Sequence, residues 1–258
     1  MPSTLNDISR HLDAMLRIDE IPDFPGALNG IQVETESPIV KVAAAVDARE
    51  KTIRGAADAG ANLLIVHHGL FWAGAQPLRG AFLRRVRLLL EHDIAVYSAH
   101  LPLDMHPELG NNVLLARELG LEVSAGFAHY KTVDIGVAGR SEIPTPALVA
   151  RATKFAQAHG HDVRTAGPVA GKVTRQWAIC TGAGAGQDTL REAITDKVDT
   201  LVVGEGPHWT AIDAEESGLT IIYAGHYATE TLGVRSLAAS VGKTFDLPSL
   251  FLEAPTGL

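Results

Sequence analysis

The chain has 258 residues, of which 46% are hydrophobic and 20% charged, an ordinary globular composition with length enough to bury a sizeable core. Its formal net charge of −8 speaks against a polyanion-binding surface, because phosphate contacts need clustered Lys and Arg. The bunched Arg84, Arg85 and Arg87 recur at helical spacing and read as a solvated face, so no nucleic-acid partner is expected. The one cysteine, Cys180, excludes an internal disulfide and a thiolate metal cluster, and its apolar setting in QWAIC is that of a buried structural thiol.

In chain order, the N-terminus MPSTLNDISRHLDAML lacks the basic-then-apolar pattern of a secretory signal. It reads instead as a helix capped by Ser3 or Thr4, with Leu5, Ile8, Leu12 and Leu16 at helical spacing. Pro22, Pro25, Gly26 and Gly30 break the next stretch into loop. The run 39–47 is apolar, of strand length, and ends in Asp47. A helix follows to Ala59, stopped by Gly60, then a strand over 61–66, a helix over about 80–92, a strand over 94–99 and a glycine-terminated helix over 110–120. Beyond these, 131–139 resembles a strand, and Pro144 or Pro146 starts a helix running to about His159. A strand over 173–180, a helix near 187–196 and a strand over 199–204 restore the rhythm. Strands without polar alternation, separated by helices, predict an α/β fold with mostly parallel sheets covered on both faces. No apolar stretch approaches a membrane span. A cytoplasmic location and no membrane partner are expected.

The segment GANLLIVHHGLFW (60–72) parallels KVDTLVVGEGPHW (197–209) in strand, polar turn and aromatic end. Each then leads through a helix to another polar-ended strand, IAVYSAHLPLD or LTIIYAGHYATE. The parallel predicts two related α/β units: residues 1–126 plus about 225–258, and residues of about 127–224.

Three strand ends carry metal-friendly side chains: His67-His68 after LLIV, His100 and Asp104 after IAVYSA, and His226 and Glu230 after LTIIYAG. Imidazole and carboxylate donors together suit Zn, Mn or Fe better than Mg or Ca. Each cluster alone has a plain alternative. His67 and His68 can be ordinary turn histidines, since neighbours on a strand face opposite ways and share a site only where Gly69 ends it. Asp104 can cap the turn towards Pro107, and Glu230 can belong to a surface ion pair. If Gly225 opens a helix, His226 and Glu230 lie on one face of its first turn. Three such clusters at equivalent places favour a composite site, because ligands in open α/β sheets collect at the carboxyl ends of strands. The donors exceed what one closed zinc site needs and suit two ions about 3.5–4 Å apart. Glu205 and His208, in the turn paralleling His67-His68, are candidates for contacts to the ligands or to substrate, with Asp47 a weaker one. The glycine run 181–186, TGAGAG, can cradle a phosphate or serve tight strand-to-helix packing.

The stretches NGIQVE (29–34), AAAVDA (43–48), LLIVHHGLFW (63–72), SAHLPLD (98–104), TGAGAG, VVGEGPHW (202–209) and GHYATE (225–230) together resemble the NIF-three-like family, in the family's order and over nearly the whole chain. Its members are often labelled GTP cyclohydrolase I type 2 homologues. The resemblance implies a two-domain α/β fold with a metal site between the domains, two divalent transition metal ions (Zn, Fe or Mn) and a homohexamer. By position it implies His67, His68, Asp104, His226 and Glu230 as ligands, Glu230 bridging, and His100 beside the centre as a proton shuttle. Larger relatives carry an inserted domain for which this chain has no room.

The function expected first is a metal-dependent hydrolase of a small molecule, of cyclohydrolase or phosphoesterase type. A GTP substrate is disfavoured because the motif loops hold no Lys or Arg for the triphosphate. The alternative is a non-catalytic metal-binding scaffold, regulatory partner or metal-handling protein. A Rossmann nucleotide binder ranks third, for want of its glycine fingerprint and ribose-binding acid.

Overall fold

In chain order the elements are α1 (Leu5–Leu16), β1 (Gly30–Val33), β2 (Val42–Asp47), α2 (Glu50–Asp58), β3 (Leu63–His68), α3 (Gly80–Glu91), β4 (Ala95–Ser98), α4 (Leu101–Asp104), α5 (Asn111–Glu118), β5 (Val123–Tyr130) and β6 (Val133–Pro144). They continue with α6 (Thr145–Ala158), β7 (Arg164–Ala166), β8 (Val173–Cys180), α7 (Gln187–Thr195), β9 (Thr200–Val203), α8 (Trp209–Ser217), β10 (Thr220–Tyr223), α9 (His226–Thr229), α10 (Thr231–Phe245) and β11 (Ser249–Phe251). This computed structural model describes residues 3–258. The chain divides into two units, one running to Leu103 and resuming over Gly233–Ala254, the other comprising Asp104–Leu232 and Pro255–Leu258. No helix among the described residues is long and apolar enough to cross a membrane.

The first unit is built on a five-stranded sheet of order β1-β4-β3-β2-β11. β2, β3, β4 and β11 pair in parallel, and β1 closes the edge antiparallel to β4. Its central strands, VAAAVD, LLIVHH and AVYS, are buried almost throughout, as a sheet covered on both faces requires. One face packs Ala43, Ala45, Leu64, Val66 and Val96 against Ile53 and Ala56 of α2 and Phe82, Leu88 and Leu89 of α3. α1 starts where the Thr4 hydroxyl accepts the backbone N–H of Asp7 at 3.2 Å, satisfying one orphan donor of the first turn. Its Asp13 accepts the Tyr97 hydroxyl at 2.8 Å, which ties the helix to β4. His11 meets Phe245 of α10 edge-on at 5.5 Å.

The second unit is a six-stranded sheet of order β5-β6-β8-β9-β10-β7. Parallel pairing here is confined to β8, β9 and β10, while β5, β6 and β7 add antiparallel strands. The cause is local: only residues 131–132 separate β5 from β6, and so short a link admits a hairpin but no parallel crossover. Along β8, alternate residues serve opposite cores. Trp177 and Ile179 pack with Leu115 and Ala116 of α5 and Leu148, Ala152 and Phe155 of α6. Ala178 and Cys180 pack with Leu190 and Ala193 of α7 and Ala214 of α8. Because α5 lies on this sheet, residues 104–126 group with the second unit, where the sequence alone suggested the first.

The two units repeat one topology. β2-α2-β3-α3-β4 corresponds to β8-α7-β9-α8-β10, each with a short antiparallel strand, β1 or β7, on the last of the parallel strands. Histidines and acids therefore sit at matching carboxyl ends: His67-His68 after the core of β3 and Glu205 after β9, His100 after β4 and His226 after β10.

Candidate metal centre

In the first unit β3 continues through His68, yet the rings of His67 and His68 lie 4.9 Å apart. Both curl over the end of the strand because each is held by a different neighbour. His67, fully buried, places Nδ1 2.9 Å from the carbonyl of Ala99, just past β4. A carbonyl only accepts, so Nδ1 carries the proton and the Nε2 lone pair is left to face other groups. His68 places Nδ1 3.0 Å from Asp47 Oδ1 at the end of β2. His100 completes the group, its ring 4.8 Å from His67 and 5.7 Å from His68, with Nδ1 2.8 Å from Asp23 Oδ1. Ligand atoms of the three histidines lie within 4.8 Å of one another.

Asp23 anchors the surrounding loop as well. Its carboxylate accepts from the backbone N–H groups of Phe24 and Leu101 and from the Asn29 amide. Burial alone would raise its pKa, but His100, Asn29 and Phe24 hold it below the usual carboxylate range. Asn29 in turn accepts the His100 backbone N–H at 2.8 Å.

In the second unit Gly225 does precede a helix, which His226 opens and Glu230 ends, with a break before α10. Their i,i+4 spacing brings Nε2 within 3.1 Å of Oε2. His226 Nδ1 lies 2.8 Å from Glu205 Oε1. Burial opposes the imidazolium, but Glu230 and then Glu205 outweigh it and raise His226 to about 9. Asp104 is buried at the end of α4 and accepts the Asn111 amide at 2.8 Å. Asn112 links the Asp104 carbonyl to β6 and accepts the backbone N–H of Thr181, the first residue of the glycine run. That run is packed too tightly to enclose a phosphate at Gly182. Gly182 has φ +62° and a Cβ there would overlap Glu230 Oε1. Its N–H donates to Thr229 at 3.0 Å and its carbonyl accepts from Glu205 N at 2.8 Å.

The donor set fits transition metal. His67, His68 and His226 have Nδ1 fixed by a carbonyl or carboxylate, the arrangement that orients Nε2 towards an ion and raises its basicity. The 3.1 Å separation of His226 Nε2 and Glu230 Oε2 matches one edge of a coordination shell, since two atoms about 2.1 Å from one ion stand roughly 3.0–3.4 Å apart. His208 is exposed at the start of α8, and its imidazole makes no hydrogen bond to these residues among those described. Asp23, Asn111 and Asn112 lie outside the motif stretches read from the sequence, and Asn29 entered only as the first residue of NGIQVE. Replacing Asp47 by alanine is expected to lower metal affinity roughly 10–100-fold, the usual effect of removing the group that orients a ligand histidine. Chelator competition measures it, and unchanged affinity would remove Asp47 from that role.

Cys180 takes no part. Burial, followed by the nearby charges of Asp104, Glu192 and Glu230, pushes its thiol up to about 12. Since the thiolate is the reactive species, a disulfide reagent at pH 8 is expected to label no thiol in the folded protein and one per chain after denaturation. Rapid labelling of the folded protein would contradict that burial.

Fold and site together define a two-sheet α/β protein whose parallel strands end in candidate metal ligands. The family model described as Duf34/NIF3 (NGG1p interacting factor 3) matches residues 3–256, and the chain belongs to this family. A Deinococcus radiodurans protein named GTP cyclohydrolase 1 type 2 homolog is 39% identical over 254 residues, covering 98% of this chain and 94% of that one. A structural-genomics structure of protein ybgI shares 32% identity with a TM-score of 0.89, covering 99% and 100% of the two chains. A crystal structure of a Thermus thermophilus protein shares 38% identity with a TM-score of 0.82, covering 98% and 99%.

Proposed function

We propose that this protein is a dinuclear metal-dependent hydrolase of a small molecule. His67, His68, Asp104, His226 and Glu230 would hold the ions. The single observation that supports this most is the convergence of donors at strand ends, where ligand atoms of His67, His68 and His100 lie within 4.8 Å of one another and His226 Nε2 stands 3.1 Å from Glu230 Oε2. Bound divalent transition metal supplies Lewis acidity and makes water acidic enough to act near neutral pH.

The chain's own groups do the rest. Asp23 fixes His100 through Nδ1, so Nε2 is the atom that takes a proton from an attacking water and returns it to a leaving nitrogen or oxygen. Glu205 holds the ring of His226, and Asn111 holds Asp104. A cyclic amidine or a phosphoester is the substrate class this chemistry serves. The curated relatives' cyclohydrolase name supports the first of these.

Elemental analysis of protein purified without added metal tests the centre, and turnover of a cyclic amidine and of p-nitrophenyl phosphate by the loaded protein tests the reaction. About two equivalents of transition metal per chain are expected, with turnover lost and metal retained in His100→Gln. Wild-type protein that stays metal-free after reconstitution would sink the centre. Loaded protein that turns over neither substrate would leave a metal-binding scaffold in place of the enzyme.

A further inference from the structure

Two large aromatic side chains stand exposed beside the histidines of the first unit. Phe24 is 44% and Trp72 38% exposed. The Phe24 ring centroid is 6.0 Å from that of His100. The indole of Trp72 stands 4.8 Å from His100 and 5.5 Å from His68, perpendicular to both within 13°. Neither imidazole stacks in parallel on the indole, so it keeps the geometry in which a flat ring can lie against it.

The backbone that carries them is held in place. The backbone N–H of Phe24 is held by Asp23, the carboxylate that also holds His100. The turn after it accommodates only glycine at position 26, where a Cβ would come within 2.5 Å of the Trp72 carbonyl. One loop and the segment after β3 thus present two aromatic rings beside the same imidazole. Preorganised rings lose little entropy when a ligand stacks on them.

Charge narrows the ligand. The loops that carry these residues, 21–29 and 67–77, contain no Lys or Arg, and the carboxylates of Asp23 and Asp47 lie behind the histidines. Those two loops offer a phosphate no cation of their own. We propose that Phe24 and Trp72 form an aromatic seat for a planar, phosphate-free nitrogen heterocycle, uncharged or cationic, beside His68 and His100. This rests on the hydrolase reading above and names its substrate class: a flat ring whose C–N bond is cleaved, rather than a nucleotide recognised by its phosphates.

Guanosine, cytidine and the cationic N-methylnicotinamide serve as probes, with ribose as the non-planar control. Binding is followed by quenching of tryptophan emission and by equilibrium dialysis, on metal-loaded and on chelator-treated protein. At least one planar probe is expected to bind and ribose not to. Trp72→Ala and Phe24→Ala should each weaken binding roughly tenfold or more, as loss of a stacking partner does, while metal content stays at the wild-type level. Trp72→Phe should restore most of the affinity. On chelator-treated protein GTP should bind no tighter than guanosine.

Failure of all three probes on wild-type protein, full binding by both alanine variants, or tighter binding of GTP by the chelator-treated protein would overturn the seat. A change of oligomeric state in both alanine variants would also overturn it, by assigning the aromatics to contact with a second copy. Metal content is read separately. Planar-probe binding by a protein that never takes up metal would uphold the seat and defeat the hydrolase.

Discussion

Glu230→Ala is expected to abolish tight metal binding, with a loss larger than the roughly 10–100-fold that removing an outer partner of a ligand costs. Glu230 is 3% exposed, and its Oε2 faces His226 Nε2 at 3.1 Å. In the absence of metal Glu230, with Glu205, favours a proton on His226 and raises its pKa to about 9 against the cost of burial. Metal and proton compete for one position, so binding should release a proton and weaken as pH falls. In the alanine variant the Glu230 carboxylate is gone, and His226 keeps Glu205 on its other nitrogen. Metal content and chelator competition measured between pH 6 and 8 check both parts. Wild-type affinity in the variant would show that Glu230 is not a ligand.

Gly182→Ala is expected to be nearly as damaging although it removes no ligand. At φ +62° an alanine pays the left-handed penalty of about 1–2 kcal/mol. Its Cβ would also overlap Glu230 Oε1, and Gly204 on the facing strand end leaves no room for retreat, since a Cβ there would itself meet the Gly182 carbonyl at 2.5 Å. The variant should be destabilised by about 1–3 kcal/mol and should bind metal weakly because Glu230 is displaced. Gly186→Ala in the same run is the control. Its φ is −92°, and a Cβ would meet only Thr189 Oγ1 at 3.8 Å, so a cost below about 1 kcal/mol is expected. Denaturant melts and metal analysis separate the two variants. Equal behaviour would mean that the run is ordinary loop.

Much of this was legible in the residues. β8 coincides with the strand read at 173–180, and α3, α5, α6 and α7 fall where helical patterns placed them. The strands that escaped notice were β1, β5, β7 and β11. Each has an antiparallel neighbour, short length or exposed residues, so no continuous apolar run marks it. GANLLIVHHGLFW and KVDTLVVGEGPHW proved to occupy the same position in two copies of one topology. His208, chosen by that same comparison, lies exposed at the start of α8.

By itself, then, the sequence determined the α/β class and the cluster of histidines and acids at strand ends, because hydrophobic period and residue chemistry are local properties. Only the tertiary structure decided which carboxylate holds which imidazole. Asp23 meets His100 across 77 positions and Asp47 meets His68 across 21. The first pair arises where β1 runs antiparallel to β4 and sets the loop before it beside the carboxyl end of β4, the second where β2 and β3 pair in parallel. The same applies to Gly182, whose lack of a side chain acquires meaning when the turn after β8 closes over Glu230, 48 residues further along the chain.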